Sequence, residues 1–271
     1  MKWIYDLRAA RLRRTSPWRA ALADLPAGLE IYWRASAPRE YEGIRTDAFF
    51  FVRATEGLLR FFDAVRHSGR PCALPSEAAD SVWHAWLRWS PTSLDRFCVR
   101  HFGAPVPHVE RAALVGNALL HTFAACRALD GIRPGSMRLP ALFGLDATLR
   151  MPRGHGYWSR GGEIVYAHLN ERGRGMWRAQ PHPELALTVL YAAGLIDRGV
   201  LAAHLRRREA MAADGSSCGG IDSMAFAGGD ACGDGGGDSG CDGGGGGSSC
   251  GSSCGSSCGS SCGSGCGGGG D

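Results

Sequence analysis

Apolar residues recur at three- and four-residue steps through most of the first 213 positions, which predicts a chain built mainly from helices. Ser16-Pro17-Trp18 starts a short helix, with serine as the cap and proline at the first helical position, ending before Pro26-Ala27-Gly28. A long helix runs from Thr46 or Asp47 to His67 and closes at Gly69. Its apolar stripe is Phe50, Phe51, Ala54, Leu58, Phe61, Phe62 and Val65. The loop Pro71-Cys72-Ala73-Leu74-Pro75 leads to Ser76, a cap for a helix over Glu77–Trp89 whose first turn carries Glu77 and Asp80.

Ser90-Pro91 breaks that helix and opens another, with Leu94, Phe97, Cys98, His101 and Phe102 on one stripe and Gly103 as its stop. A further helix is expected over Glu110–Leu129, ended by Gly131, and a short one over Pro140–Leu149. Two short strands are expected within Trp158–Leu169, turning at Arg160-Gly161-Gly162. Helical stretches over Glu184–Ile196 and Val200–Met211 complete the pattern. The fold class expected is mainly α: one helical domain over residues 1–213 with a small β-hairpin.

The pattern stops at Asp214. From there to Asp271 the chain has 24 Gly, eight of its 11 Cys and seven Asp, with no Lys or Arg. So little apolar surface cannot offset chain entropy, so residues 214–271 are expected to be a disordered low-complexity tail. Gly-Ser-Ser-Cys repeats four times in tandem from Gly247 to Cys262, and Gly263-Ser264-Gly265-Cys266 follows. Cys250, Cys254, Cys258, Cys262 and Cys266 therefore stand four apart. Three readings of this tract are open: a sink for zinc or another thiophilic metal, a precursor-like substrate for Ser/Cys modification, and a neutral product of repeat slippage.

Charge divides the same way. All 30 basic residues precede Asp214, against 19 acidic ones, so the first segment carries +11 and the tail −7. Of the basic residues 29 are Arg, in clusters such as Arg11, Arg13, Arg14 and Arg206, Arg207, Arg208. These suit a solvated surface, a nucleic-acid surface, or a self-contact between the basic domain and its acidic tail. No apolar run reaches membrane-spanning length and no secretory h-region is present, so a cytoplasmic protein with reduced thiols is expected.

Candidate chemistry centres on two predicted helices. Asp80 and His84 are four apart and share a face, so the carboxylate can orient the imzidazole from behind a ligand or general base. Cys98 and His101 share the stripe of the next helix, and His108 follows in a loop. Antiparallel packing of the helices would gather His84, Cys98, His101 and His108 as N and S ligands suited to zinc, with Asp80 as orienter. The plainer alternative is a hydrogen-bonded His84 between Trp83 and Trp86, with Cys98 acting as a small core hydrophobe. HExxH, G-x-S-x-G and phosphate-loop patterns are absent from the sequence.

Leu74-Pro75-Ser76, Asp80, Trp83-His84, Phe97-Cys98, Phe102-Gly103 and His108 together resemble the glycine-rich domain-containing protein family. Leu142-Phe143-Gly144-Leu145-Asp146 is similar to that family's downstream segment, so the family-like region is about 61–149, and the Gly/Cys-rich ending is similar too. The resemblance implies a related fold. It also implies kinship with plant members associated with stress responses and RNA contact, although no RNP-like strand is present here. The functional expectation is a binding or stress-related protein, metal-binding or thiol-redox sensing through its tail. The alternative is an enzyme with a His/Asp or metal-assisted site between two helices.

Overall fold

The computed structural model describes residues 2–109, 114, 116–175 and 179–213. The chain divides into two units, Met1–Gly228 and Gly229–Asp271, and every described residue belongs to the first. The expected tail, with Cys250, Cys254, Cys258, Cys262 and Cys266, lies outside the described residues.

Among the described residues the fold is mainly helical with one small sheet. The elements are α1 (Lys2–Thr15), α2 (Arg19–Ala23), α3 (Ala27–Glu40), α4 (Ala48–Ser68), α5 (Glu77–Trp89), α6 (Pro91–Phe102) and α7 (Ala118–Leu129). They continue with α8 (Leu145–Leu149), β1 (His155–Arg160), β2 (Glu163–His168), β3 (Gln180–Pro181), α9 (Leu187–Ala192) and α10 (Arg198–Ala213).

Helix α4 is the hub, because α1, α2, α5, α6, α7 and α8 all pack on it. Surrounded in this way, it buries far more than one stripe, from Phe50, Phe51 and Val52 through Leu58, Leu59, Phe61 and Phe62. Two polar residues are buried with them. Thr55 bonds back to the Phe51 carbonyl, and Glu56 accepts from Ser16 Oγ at 2.7 Å while pairing with Arg53. Gly57 is small because Leu145 crosses there: a Cβ would lie 2.2 Å from Leu145 Cδ2.

Local chemistry sets most helix ends as expected. Asp47 accepts from the Phe50 N–H, Ser76 from Ala79 and Ser90 from Ser93, and the left-handed Gly69 and Gly103 close α4 and α6. Other expectations need correction. Helix α7 starts at Ala118, not Glu110, because Gly116 and Asn117 adopt positive φ values that no helix continues through; residues 110–113 lie outside the described residues. The expected helix over Glu184–Ile196 is a 3-10 turn at Pro183–Leu185 followed by the shorter α9, and Pro140–Leu149 is helical only in α8. Helices α1 and α3 were not expected. The buried positions of α3, Leu29, Trp33 and Ala37, form a stripe one residue wide, and Pro26-Ala27-Gly28 reads as a stop although it begins the helix.

The β1–β2 hairpin pairs His155 with His168 and Arg160 with Glu163, and β3 adds to β2 through Val165–Pro181 and Tyr166–Gln180. Asp146, 1% exposed, ties this hairpin to the helices. Its carboxylate accepts from Ser76 Oγ (2.6 Å), the Glu77 N–H (2.9 Å), the Ala78 N–H (3.0 Å) and the His155 N–H (2.8 Å). Burial pushes this carboxyl up, and the four hydrogen bonds oppose the shift. Gly154 keeps room for it, since a Cβ there would meet Asp146 Oδ2 at 2.7 Å.

Replacing Asp146 with Asn turns an amide N–H toward donors that need an acceptor. Denaturant unfolding of Asp146→Asn is expected to show a loss of about 3 kcal/mol; a loss below about 1 kcal/mol would mean that the cluster is not a stabilising anchor.

Candidate functional site

With its first turn held by Asp146 and Ser76, α5 presents Glu77, Asp80 and His84 along one side. The chain then returns from α6 over this side. Gly103 turns it, Pro105 and Pro107 hold it extended, and Val106 is buried between them. Next to Val106, His108 lands edge-on against Trp83, with ring centroids 4.6 Å apart. Trp83 is itself wedged against Phe61 and Phe62 of α4, so the imidazole rests on a rigid aromatic wall.

Three side chains with ligand-type atoms converge there. His84 Nε2 lies 3.1 Å from His108 Nε2 and 3.5 Å from Asp80 Oδ2, and His108 Nε2 lies 3.4 Å from Asp80 Oδ1. Among the described residues these side chains form the group able to hold a metal ion. They are 30%, 20% and 25% exposed for His84, His108 and Asp80, so the cluster is half-buried and open on one side. Donors bound at about 2.0–2.1 Å around a tetrahedral ion stand about 3.3–3.4 Å apart, close to the separation of the two imidazole nitrogens and to the distance from each to its nearer Asp80 oxygen; with one atom from each residue, all three lie within 4.8 Å of one another.

The structure redistributes the expected roles. Asp80 faces the same nitrogen of each imidazole that the other imidazole faces, so it lies beside His84 Nε2 and not behind the ring at Nδ1. The position behind His84 belongs to Glu40, whose Oε2 is 3.6 Å from His84 Nδ1 and which Arg88 holds in place. Cys98 and His101 are not part of the group. Cys98 is fully buried, and burial pushes its thiol up to about 11. His101 packs tilted against Phe97 at 4.5 Å between ring centroids and meets Asp24 Oδ2 at 3.1 Å.

Beside the cluster, a cleft of about 290 Å³ is lined by Arg39, Glu40, Tyr41, Glu42, Glu77, Pro152 and Arg153. Tyr41 is held far above the ordinary phenol range by burial and then by the carboxylates of Asp80, Glu77 and Asp146, so it is a neutral O–H donor at this wall. Glu40 and Tyr41 were missed in the sequence because the end of α3 had no visible helical pattern. Among the arginine clusters, Arg13 pairs with Glu30 on α3 and Arg207 donates to the Gly161 carbonyl. Among the described residues no helix is long and apolar enough to cross a membrane.

The family described as UCP032817-like matches residues 40–165, a span that begins at Glu40 and includes Asp80, His84, His108 and Asp146. No curated protein and no solved structure matches the chain.

A buried thiol held protonated is a poor nucleophile. In the folded protein near pH 8, Cys98 and Cys126, the latter pushed up to about 12, are expected to resist iodoacetamide until denaturant is added. Labelling of Cys98 at the rate of a free thiol, read by peptide mass, would contradict its place in the core.

Proposed function

We propose that this chain is a metal-binding protein whose site is formed by Asp80, His84 and His108, with zinc as the ion that best suits it. The observation that carries the reading is the triangle of two imidazole nitrogens and a carboxylate with edges of 3.1–3.5 Å. A neutral imidazole has at most one proton for its Nε2, so two such nitrogens and a carboxylate facing one another are short of donors. A cation satisfies all three. Glu40, 3.6 Å from His84 Nδ1, is the carboxylate placed to accept from that nitrogen once the site closes on an ion.

The binding role and the stress-related association remain proposals of the sequence, as does kinship with glycine-rich domain proteins. So does metal capture or redox sensing by the tail cysteines.

An enzyme is the second reading, favoured by one feature of the same site. Three protein donors leave a fourth position for water, and the cleft lined by Tyr41 and Glu77 adjoins it. Bound zinc would lower the pKa of that water, and Tyr41 is placed to donate a hydrogen bond to a ligand in the cleft.

Cobalt and zinc titrations of the full chain with its eight tail cysteines changed to serine test both readings. One ion is expected to bind without sulfur-to-metal charge transfer, and more weakly as pH falls because imidazoles must be neutral to coordinate. His84→Ala and His108→Ala should each weaken binding by at least about 100-fold, and Glu40→Gln by about tenfold. Cys98→Ser and His101→Ala should leave it within about threefold. Binding unchanged in His84→Ala would overturn the site. A cobalt spectrum that added azide cannot perturb would remove the enzyme reading.

A further inference from the structure

Helix α1 turns an unusual face outward. Its inward side is Tyr5, Ala9 and Leu12, leading to the buried Ser16, and it packs on α4. At about 3.6 residues per turn, Trp3, Leu7 and Arg14 lie opposite that side, and Ile4, Ala10 and Arg11 flank them on the outward half. A solvated helix would place polar side chains there. Instead Trp3 is 64% exposed, Leu7 59% and Ile4 41%.

The charges on this helix are arranged around that apolar half. Arg11 and Arg14 continue the outward stripe, are exposed and form no ion pair among the described residues. The arginines that do have structural work lie on the flanks, Arg13 with Glu30 and Arg8 over the Phe49 ring. The helix's one acid, Asp6, is also off the outward pole. The result is a tryptophan, two aliphatic side chains and two uncommitted guanidinium groups on one solvent-facing surface.

We propose that the outward face of α1 docks on an anionic lipid surface, lying in the plane of the interface. Trp3, Ile4 and Leu7 suit the boundary between headgroups and acyl chains, where an indole keeps its N–H wet and its ring dry. Arg11 and Arg14 meet the negative headgroups. A nucleic acid would use the arginines but has no place for exposed isoleucine and leucine. The chain's own acidic tail has the charge but almost no apolar side chains to cover the first two turns. Lipid uses both halves of the face at once.

The test is co-sedimentation of the full chain with vesicles of phosphatidylcholine alone and of phosphatidylcholine mixed with phosphatidylserine. Binding is expected to the mixed vesicles, falling as salt rises. Arg11→Gln with Arg14→Gln should reduce the partition coefficient by more than about tenfold, since each basic residue near such a surface contributes about fivefold. Trp3→Ser with Leu7→Ser should abolish binding while leaving the circular dichroism spectrum intact, because neither side chain supports the core. Failure to bind the mixed vesicles, or equal binding to both kinds, overturns the proposal. So does a dimer of the full chain that Trp3→Ser with Leu7→Ser dissociates, which would give the face to a second copy. Binding of an RNA duplex that the arginine pair weakens and the Trp3/Leu7 pair does not would also overturn it.

Discussion

The carboxylate of Asp146 is the constraint on which the rest of this arrangement depends. It gathers the first turn of α5, the serine that caps that helix, and the first residue of β1 around two oxygens. A helix N-terminus buried without acceptors would carry unmet N–H groups, and here a residue 70 positions from Ser76 supplies the acceptor. Because the bond set comes from several directions, it fixes the rotation of α5 as well as its position. That rotation decides that Trp83 and Trp86 turn into the core while Asp80 and His84 stay at the surface beside the cleft.

The remaining parts of the site arrive by separate routes. Trp83 packs against α4 and forms the wall on which His108 rests, while the buried Val106 holds down the loop that brings His108 there. Helix α3 is joined to α5 by the bond from Trp33 Nε1 to Ser81 Oγ, and at its end Glu40 stands behind His84. Contributions from α3, α4, α5 and the loop after α6 thus meet at one half-buried cluster. The geometry is held by packed aromatics and hydrogen bonds that do not involve the cluster itself, which is how a site is preorganised before anything binds.

How far the sequence leads can be judged from particular residues. Ser76 with Glu77 and Asp80 announces the start of α5, and the four-residue step from Asp80 to His84 puts both on one face, since these depend on neighbours along one helix. The grouping with Cys98 and His101 needs knowledge of which side of α6 faces inward, and helical spacing carries none: the stripe holding Cys98 is the core side, and Asp24 claims His101. Glu40 and Tyr41 escaped because α3 shows no broad apolar face. Asp146 escaped because one acid in a short apolar segment gives no sign that it will cap a distant helix. Interactions local in sequence are visible there, and those made by long-range packing are not.

X-ray absorption at the zinc edge, on the zinc-loaded chain carrying serine at its eight tail cysteine positions, reads the ligands of the Asp80–His84–His108 cluster. A metal held there gives a shell of nitrogen and oxygen at about 2.0–2.1 Å with imidazole outer-shell scattering, no sulfur at about 2.3 Å, and loss of the bound ion in His84→Ala. A sulfur shell, or a zinc shell without imidazole scattering, would contradict this site.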